Sequence, residues 1–380
     1  MKVHEEMHKS GEMHKSGEMH KSGEMHENGE QHENGEMHKN EETHKCGEMH
    51  DNEHNSYESQ DLPDSDDSGY FSDEDINLNE NEEVYNINFS FNNISYGSNR
   101  HTCTLYSLEN DCPVSLFEGF SDSVIYSKQL EENLILVCTI DGTISLLSHD
   151  QIIQSEKIEE DITFAEVIKD KIYIGGSLGS IYVFNLDLSS QNVYLGHGSD
   201  IHKISYSNST IYSLSDTQFI AFDEFSFQQK YKKNFKEAKI FESFGENQEI
   251  FCIGKEGEVV ILKNGFILHK FPVQGIPECI LFAYDHFIVG GSFPFLILIN
   301  TKLNWREYKL NLKIEGSTKI QKINDFKIAI STMCGLVGIG DIRKDDSFEF
   351  KESGVGSVFD FQFINGKFYV GGAFGFDVVQ

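Results

Sequence analysis

Eight histidines recur at every sixth residue: His8, His14, His20, His26, His32, His38, His44 and His50. Spaced imidazoles with adjacent methionines, as in Met13-His14, suit Zn, Ni or Cu, and a flexible chain can wrap such an ion. An expanded hexapeptide with no selected role would leave the same pattern. Six residues turn a helix through about 600°, so successive histidines would not share a face, and the glycine in most units adds a helix penalty. With almost no aliphatic residues, 1–54 is expected to be a disordered tail. Residues 55–83 are an acidic linker, also expected to be disordered; 51–83 hold 13 acids and no Lys or Arg. Within it Asp67-Ser68-Gly69-Tyr70-Phe71-Ser72 has the look of a phosphodegron.

Residues 84–380 carry no local catalytic signature. Among them no HExxH, GKS or GKT segment occurs, and no nucleophile stands beside an evident base. The pairs Gly175-Gly176, Gly290-Gly291 and Gly371-Gly372 end one strand and precede another, so they lack the helix N-terminus that holds phosphate. His197, after Gly196, reads as a buried structural hydrogen-bonder with Asp216 as its partner. The expectation is a non-enzymatic protein without a cofactor.

Acid is the chemistry that does recur. Glu83, Asp122, Asp161, Asp200, Glu237, Glu315 and Glu352 stand just before successive apolar runs, with Gln274 as the exception. Asp141, Asp216 and Glu256 fall in the turns between paired runs. The formal charge is -31, which excludes unassisted nucleic-acid binding. A negative face of this kind suits an extended basic peptide. Lys230, Lys232, Lys233 and Lys236 read as a solvated strand edge.

The elements that must position these acids are short β-type runs in pairs, such as Leu134 to Val137 with Ile144 to Leu147, and Phe251 to Ile253 with Val259 to Leu262. The turns between them centre on His101, Gly142, Gly179, Thr217, Gly257, Pro294, Gly335 and Gly375. A period near 40 residues with four short strands per unit predicts an all-β fold, a β-propeller over 84–380. Eight hairpins give eight blades; seven is the alternative if 84–121 are partial. The last unit supplies three strands, so a fourth is expected from Ile76 to Leu78 or from Val84 to Phe89, which would close the ring. Apolar runs such as Phe293 to Ile299 stop short of the roughly 18 residues that cross a bilayer. No apolar signal region opens the sequence, so the expected compartment is the cytoplasm and also the nucleus. Scattered cysteines without a CxxC pair read as reduced core thiols.

The spacing is close to that of WD repeats, and Gly196-His197, Phe222-Asp223 and Gly340-Asp341-Ile342-Arg343 keep some of their marks. Gly119-Phe120-Ser121-Asp122-Ser123-Val124 with Asp141-Gly142-Thr143-Ile144 resembles the first full blade of the WD-repeat ribosome-assembly chaperones related to angio-associated migratory cell protein. Asn304-Trp305-Arg306-Glu307-Tyr308 and Val358-Phe359-Asp360-Phe361 resemble later segments of that family. The resemblance implies an eight-bladed propeller that holds the N-terminal segment of a basic large-subunit ribosomal protein on an acidic face and delivers it to the pre-ribosome; the chain itself is expected to be a monomer with no direct contact to nucleic acid or membrane. The His-rich hexapeptides depart from that family. The rival reading is a generic scaffold or a ubiquitin-ligase substrate receptor, hinted at by Asp341-Ile342-Arg343 and by the Asp67-Ser68-Gly69 element.

Overall fold

The computed structural model describes residues 82–380 apart from 150, 190, 245–249, 315 and 325. The histidine repeat, the degron-like element, Ile76 to Leu78 and Glu315 lie outside the described residues.

The described chain forms eight antiparallel sheets, each a meander in sequence order. Blades 1 to 7 span 84–117, 124–157, 162–194, 201–234, 238–272, 277–311 and 317–352, and each has four strands. Blade 8, 358–379, has three. The eight-blade expectation holds, and the seven-blade alternative falls because 84–117 make a full sheet.

Burial explains the strand roles. Second and third strands, such as Leu134–Thr139 and Thr143–Ser148, are buried almost throughout. Fourth strands are largely exposed, and Gln229–Asn234 carries the lysine run expected at a solvated edge. Charge at an outer edge discourages pairing with another chain. Of the described cysteines, Cys103, Cys138, Cys252 and Cys279 are core thiols, whereas Cys112 and Cys334 are exposed. Among the described residues no helix is long and apolar enough to cross a membrane.

Small residues let neighbouring blades meet. A Cβ on Gly175, in the second strand of blade 3, would lie 2.5 Å from the Cβ of Ile201, which opens blade 4. Gly371 of blade 8 meets Val84 of blade 1 in the same way, at 2.5 Å from Cγ1. The glycine pairs therefore serve close backbone approach.

That last contact shows how the ring joins, and it corrects the expected closure. Val84–Ser90 does not complete blade 8; it pairs with Asn93–Ser98 as the first strand of blade 1. The two-residue turn Phe91-Asn92, with φ of 48° and 63°, makes this a tight hairpin, and a strand committed to its own hairpin cannot also serve the neighbouring sheet.

Candidate functional site

In a four-stranded meander, the turn between strands two and three and the link from strand four to the next blade lie at the same rim. All the acids singled out in the sequence and described in the structure sit there. Asp122, Asp161, Asp200 and Glu237 precede the first strands Val124–Glu131, Ile162–Ile168, Ile201–Ser207 and Ala238–Phe244. Glu352 ends the fourth strand of blade 7, and Asp141, Asp216 and Glu256 occupy second-to-third turns. Backbone bonds lock the two kinds of loop together: Ser177 N donates to Asp161 O at 2.9 Å, and Glu256 N to Glu237 O at 3.2 Å.

The acids differ in what they hold. Asp141 accepts from Lys157 Nζ at 2.9 Å and from Thr139 Oγ1 at 2.6 Å. Partial burial pushes its carboxyl up, but these donors outweigh it and hold it well below the usual carboxylate range. Asp216 is bridged by Lys239 and His202, each at 2.8 Å. Its carboxyl too is lowered, the two partners outweighing desolvation. Glu237 has Lys236 at 3.8 Å, and its carboxyl pushes that of Glu256 upward through a hydrogen bond. Asp122 caps Ser123 N at 2.6 Å. Asp161, Asp200 and Glu352 are exposed, and none of them has an ion-pair partner among the described residues.

Two of these unpaired acids converge. Asp161 and Asp200 both line a groove of about 580 Å³, whose wall also includes Tyr85, Ile125, Phe164 and Glu166. No Lys or Arg lines it. Burial pushes the Glu166 carboxyl up, while Lys128, Lys203 and Lys319 pull it down. Burial and the bond it donates to Glu83 raise the Tyr85 phenol to about 12, so it remains a neutral donor. Carboxylates beside aromatic faces can bind ammonium or guanidinium groups by charge and by cation–π contact.

Residues 82–379 match the family model described as the WD40-like domain. The chain belongs to the WD40-like family. Solved structures of similar fold include Sqt1 from Saccharomyces cerevisiae, with 16% identity and a TM-score of 0.69 over 79% of this chain and 96% of that one. Sqt1 from Chaetomium thermophilum has 14% identity and a TM-score of 0.71, again over 79% and 96%. The computationally designed Ika8 protein has 15% identity and a TM-score of 0.69 over the same shares. No curated protein matches the sequence significantly.

Within this WD40-like ring, His197 is not bonded to Asp216. Its Nδ1 meets Ser215 Oγ at 3.0 Å and its Nε2 meets Ser213 Oγ at 2.6 Å. Asp216 turns instead to His202 and Lys239 at the start of the first strands of blades 4 and 5. Sequence reading also missed Glu160 and Glu166. Glu160 is buried and accepts from Leu178 N and Tyr182 OH, both at 2.7 Å. Glu166 follows the buried Ala165 in Ile162–Ile168, where Ile162 and Ala165 are buried and Glu166 to Ile168 are all half-buried, so no two-residue alternation marks it. Among the described residues no group of three or more His, Cys, Asp or Glu is arranged to hold a metal ion.

Proposed function

We propose that this propeller is a non-enzymatic chaperone. It holds an extended basic segment of a large-subunit ribosomal protein on its acidic rim and hands that protein on for ribosome assembly. The observation that carries the reading is the groove lined by Asp161 and Asp200, where exposed carboxylates without ion-pair partners stand beside Tyr85 and Phe164 and no basic side chain intrudes. Support comes from the segments resembling WD-repeat ribosome-assembly chaperones and from the likeness in fold to the two Sqt1 structures. On this reading the protein acts as a monomer in the cytoplasm, with a nuclear pool, and contacts neither nucleic acid nor membrane directly.

The receptor alternative rests on Asp341-Ile342-Arg343. There the Arg343 guanidinium forks onto Asp341, at 2.9 Å from Nε and 2.6 Å from Nη2, and lies over the Phe326 ring at 4.5 Å. These contacts give the segment a structural role in its own blade.

Affinity purification of the full chain from its native cells tests the proposal. One basic ribosomal protein is expected as the stoichiometric partner. Recovery of a ligase adaptor, or of no ribosomal protein, would overturn it.

A further inference from the structure

A pocket of about 330 Å³ opens between blades 6 and 7. Strand order puts it at the rim opposite the acids, because Phe326 stands in the turn from first to second strand of blade 7 and Arg343 just after the third strand, Leu336–Asp341. Its floor is apolar, since Leu298, Leu310 and Ile342 are all buried. Two aromatic rings wall it, Tyr308 at 39% exposure and Phe326 at 37%.

Each ring lies beneath an arginine. The Arg306 guanidinium is 5.2 Å from the centre of Tyr308, and that of Arg343 is 4.5 Å from the centre of Phe326. These are two of the three arginines in the sequence. In the sheet register Arg306, Tyr308 and Leu310 stand opposite Asn300, Leu298 and Leu296, on the face that packs toward blade 7, while Glu307 falls on the other face. Arg306 has no ion-pair partner among the described residues. Lys309 adds a further positive charge, and Asp345 is the one carboxylate in the lining. Two other acids of these loops are already taken up, Asp285 by Lys302 at 2.7 Å and Asp346 by Lys313 at 2.8 Å.

The backbone is strained to place one of the rings. Phe326 has a φ of 66°, a left-handed conformation that a bulky residue adopts only at a cost. At the same place, directly before the second strand, blades 1, 4, 6 and 8 use Asn92, Ser209, Asp285 and Gly366. Phe326 gains a stack on Tyr284 at 4.9 Å, yet more than a third of its surface stays open.

We infer that this pocket docks an extended acidic segment of a partner protein, with one bulky apolar side chain between Tyr308 and Phe326 and flanking carboxylates drawn to Arg306. An apolar floor with a few convergent polar groups suits such an anchor, and the planar guanidinium matches a carboxylate. Charge complementarity selects the partner. A chain of net charge -31 repels acidic segments over most of its surface, and here the lining reverses that sign. Because the pocket lies at the opposite rim, its occupant leaves the groove lined by Asp161 and Asp200 open.

Fluorescence anisotropy on the full chain tests the inference, with a dye-labelled peptide of one tryptophan flanked on each side by three glutamates. The peptide should bind, and exchanging its tryptophan for serine should weaken binding about tenfold or more. Arg306→Glu and Phe326→Asn should each cost about tenfold as well, and the asparagine, which blade 1 uses at this turn, should keep the melting transition. If Phe326→Asn melts early, Tyr308→Ser on the exposed fourth strand carries the same test. Asp161→Asn with Asp200→Asn should leave peptide binding unchanged, which separates this result from client capture. No binding, or binding indifferent to the pocket variants, would overturn the inference. So would binding that strengthens when the acids of 61–75 are changed to their amides, since the chain's own acidic segment would then be the occupant. A dimer in sedimentation that the peptide dissociates would overturn it too, by seating a second copy in the pocket.

Discussion

The Asp360 carboxylate in blade 8 accepts the backbone N–H of Ile87 in blade 1 at 2.9 Å. The same carboxylate is ion-paired to Lys319 of blade 7 and accepts Phe361 N at 2.8 Å. One buried acid therefore ties three consecutive blades across the point where the ring joins.

Replacing Asp360 with Ala should lower unfolding free energy by about 2 kcal/mol, because the Ile87 amide and the Lys319 ammonium would lose their partner in a low-dielectric site. Asp360→Asn, which keeps one carbonyl acceptor, should lose less. Urea denaturation followed by near-ultraviolet circular dichroism measures both, and equal loss from the two variants would contradict a role for the Ile87 bond.

Gly371→Ala should destabilise by roughly 1–3 kcal/mol, since the new methyl would press on Val84 at 2.5 Å from Cγ1 and 3.0 Å from the carbonyl oxygen. Gly198→Ala, with nothing within 4 Å of its Cβ position, should stay within about 0.5 kcal/mol of the parent. Thermal melts of both, side by side, check the blade-contact argument.

His197 should make the fold sensitive to acid. Burial first, then Lys232 and His202, lower its imidazole to about 4, whereas in the unfolded chain it titrates near 6.5. Between those values the unfolded chain binds the additional proton, so stability is intact above pH 6.5 and falls as pH drops toward 4, by up to about 1.4 kcal/mol per pH unit. Glu166, with its carboxyl raised by burial, acts in the opposite sense. The measurement is therefore the difference in urea midpoint between the parent and His197→Asn at pH 7.5, 6 and 5, and the variant should show the shallower decline.

Client capture should depend on the unpaired acids and tolerate loss of the paired ones. Single reversals of Asp161 or Asp200 should each cost only roughly 0.2–1 kcal/mol of binding, as exposed pairs do. Asp122→Lys, Asp161→Lys and Asp200→Lys combined should abolish capture while the melting transition stays. Glu131, Glu132 and Asp170 lie at the opposite rim, and their triple reversal should change little. Equal loss from both triples would mean that net charge governs binding. Asp141→Asn should leave capture unchanged, because that carboxylate is already spent on Lys157. Binding measured by titration at rising salt should weaken, since exposed charges are screened beyond about 8 Å at physiological ionic strength.

The ring was legible because turn residues at a near-constant period announce repeated hairpins, and Gly142, Gly179, Gly257, Gly335 and Gly375 do take positive φ. The side of the ring on which the acids stand followed from strand order alone. Their pairing did not: Lys157 and Lys239 reach Asp141 and Asp216 from 16 and 23 residues away, across loops brought together only by the sheet. Nor was the place of Val84–Ser90 deduced, because an alternating apolar strand fits the inner or the outer position of a blade equally well. The deciding signal was present nonetheless: two residues separate it from Asn93–Ser98, which is the length of a hairpin turn.

Ring joining has a consequence for synthesis. The Ile87–Asp360 bond spans 273 residues, and the apolar surface of Val84, Ile87 and Ile94 packs against Tyr369 and Phe376 near the other end of the described chain. Translation releases the blades in order, so seven of them can stack while this surface remains bare to the last. A premature stop or frameshift within blade 8 would then produce a ring that cannot hide its first blade, a product the cell's proteases can recognise by exposed hydrophobic area rather than by length.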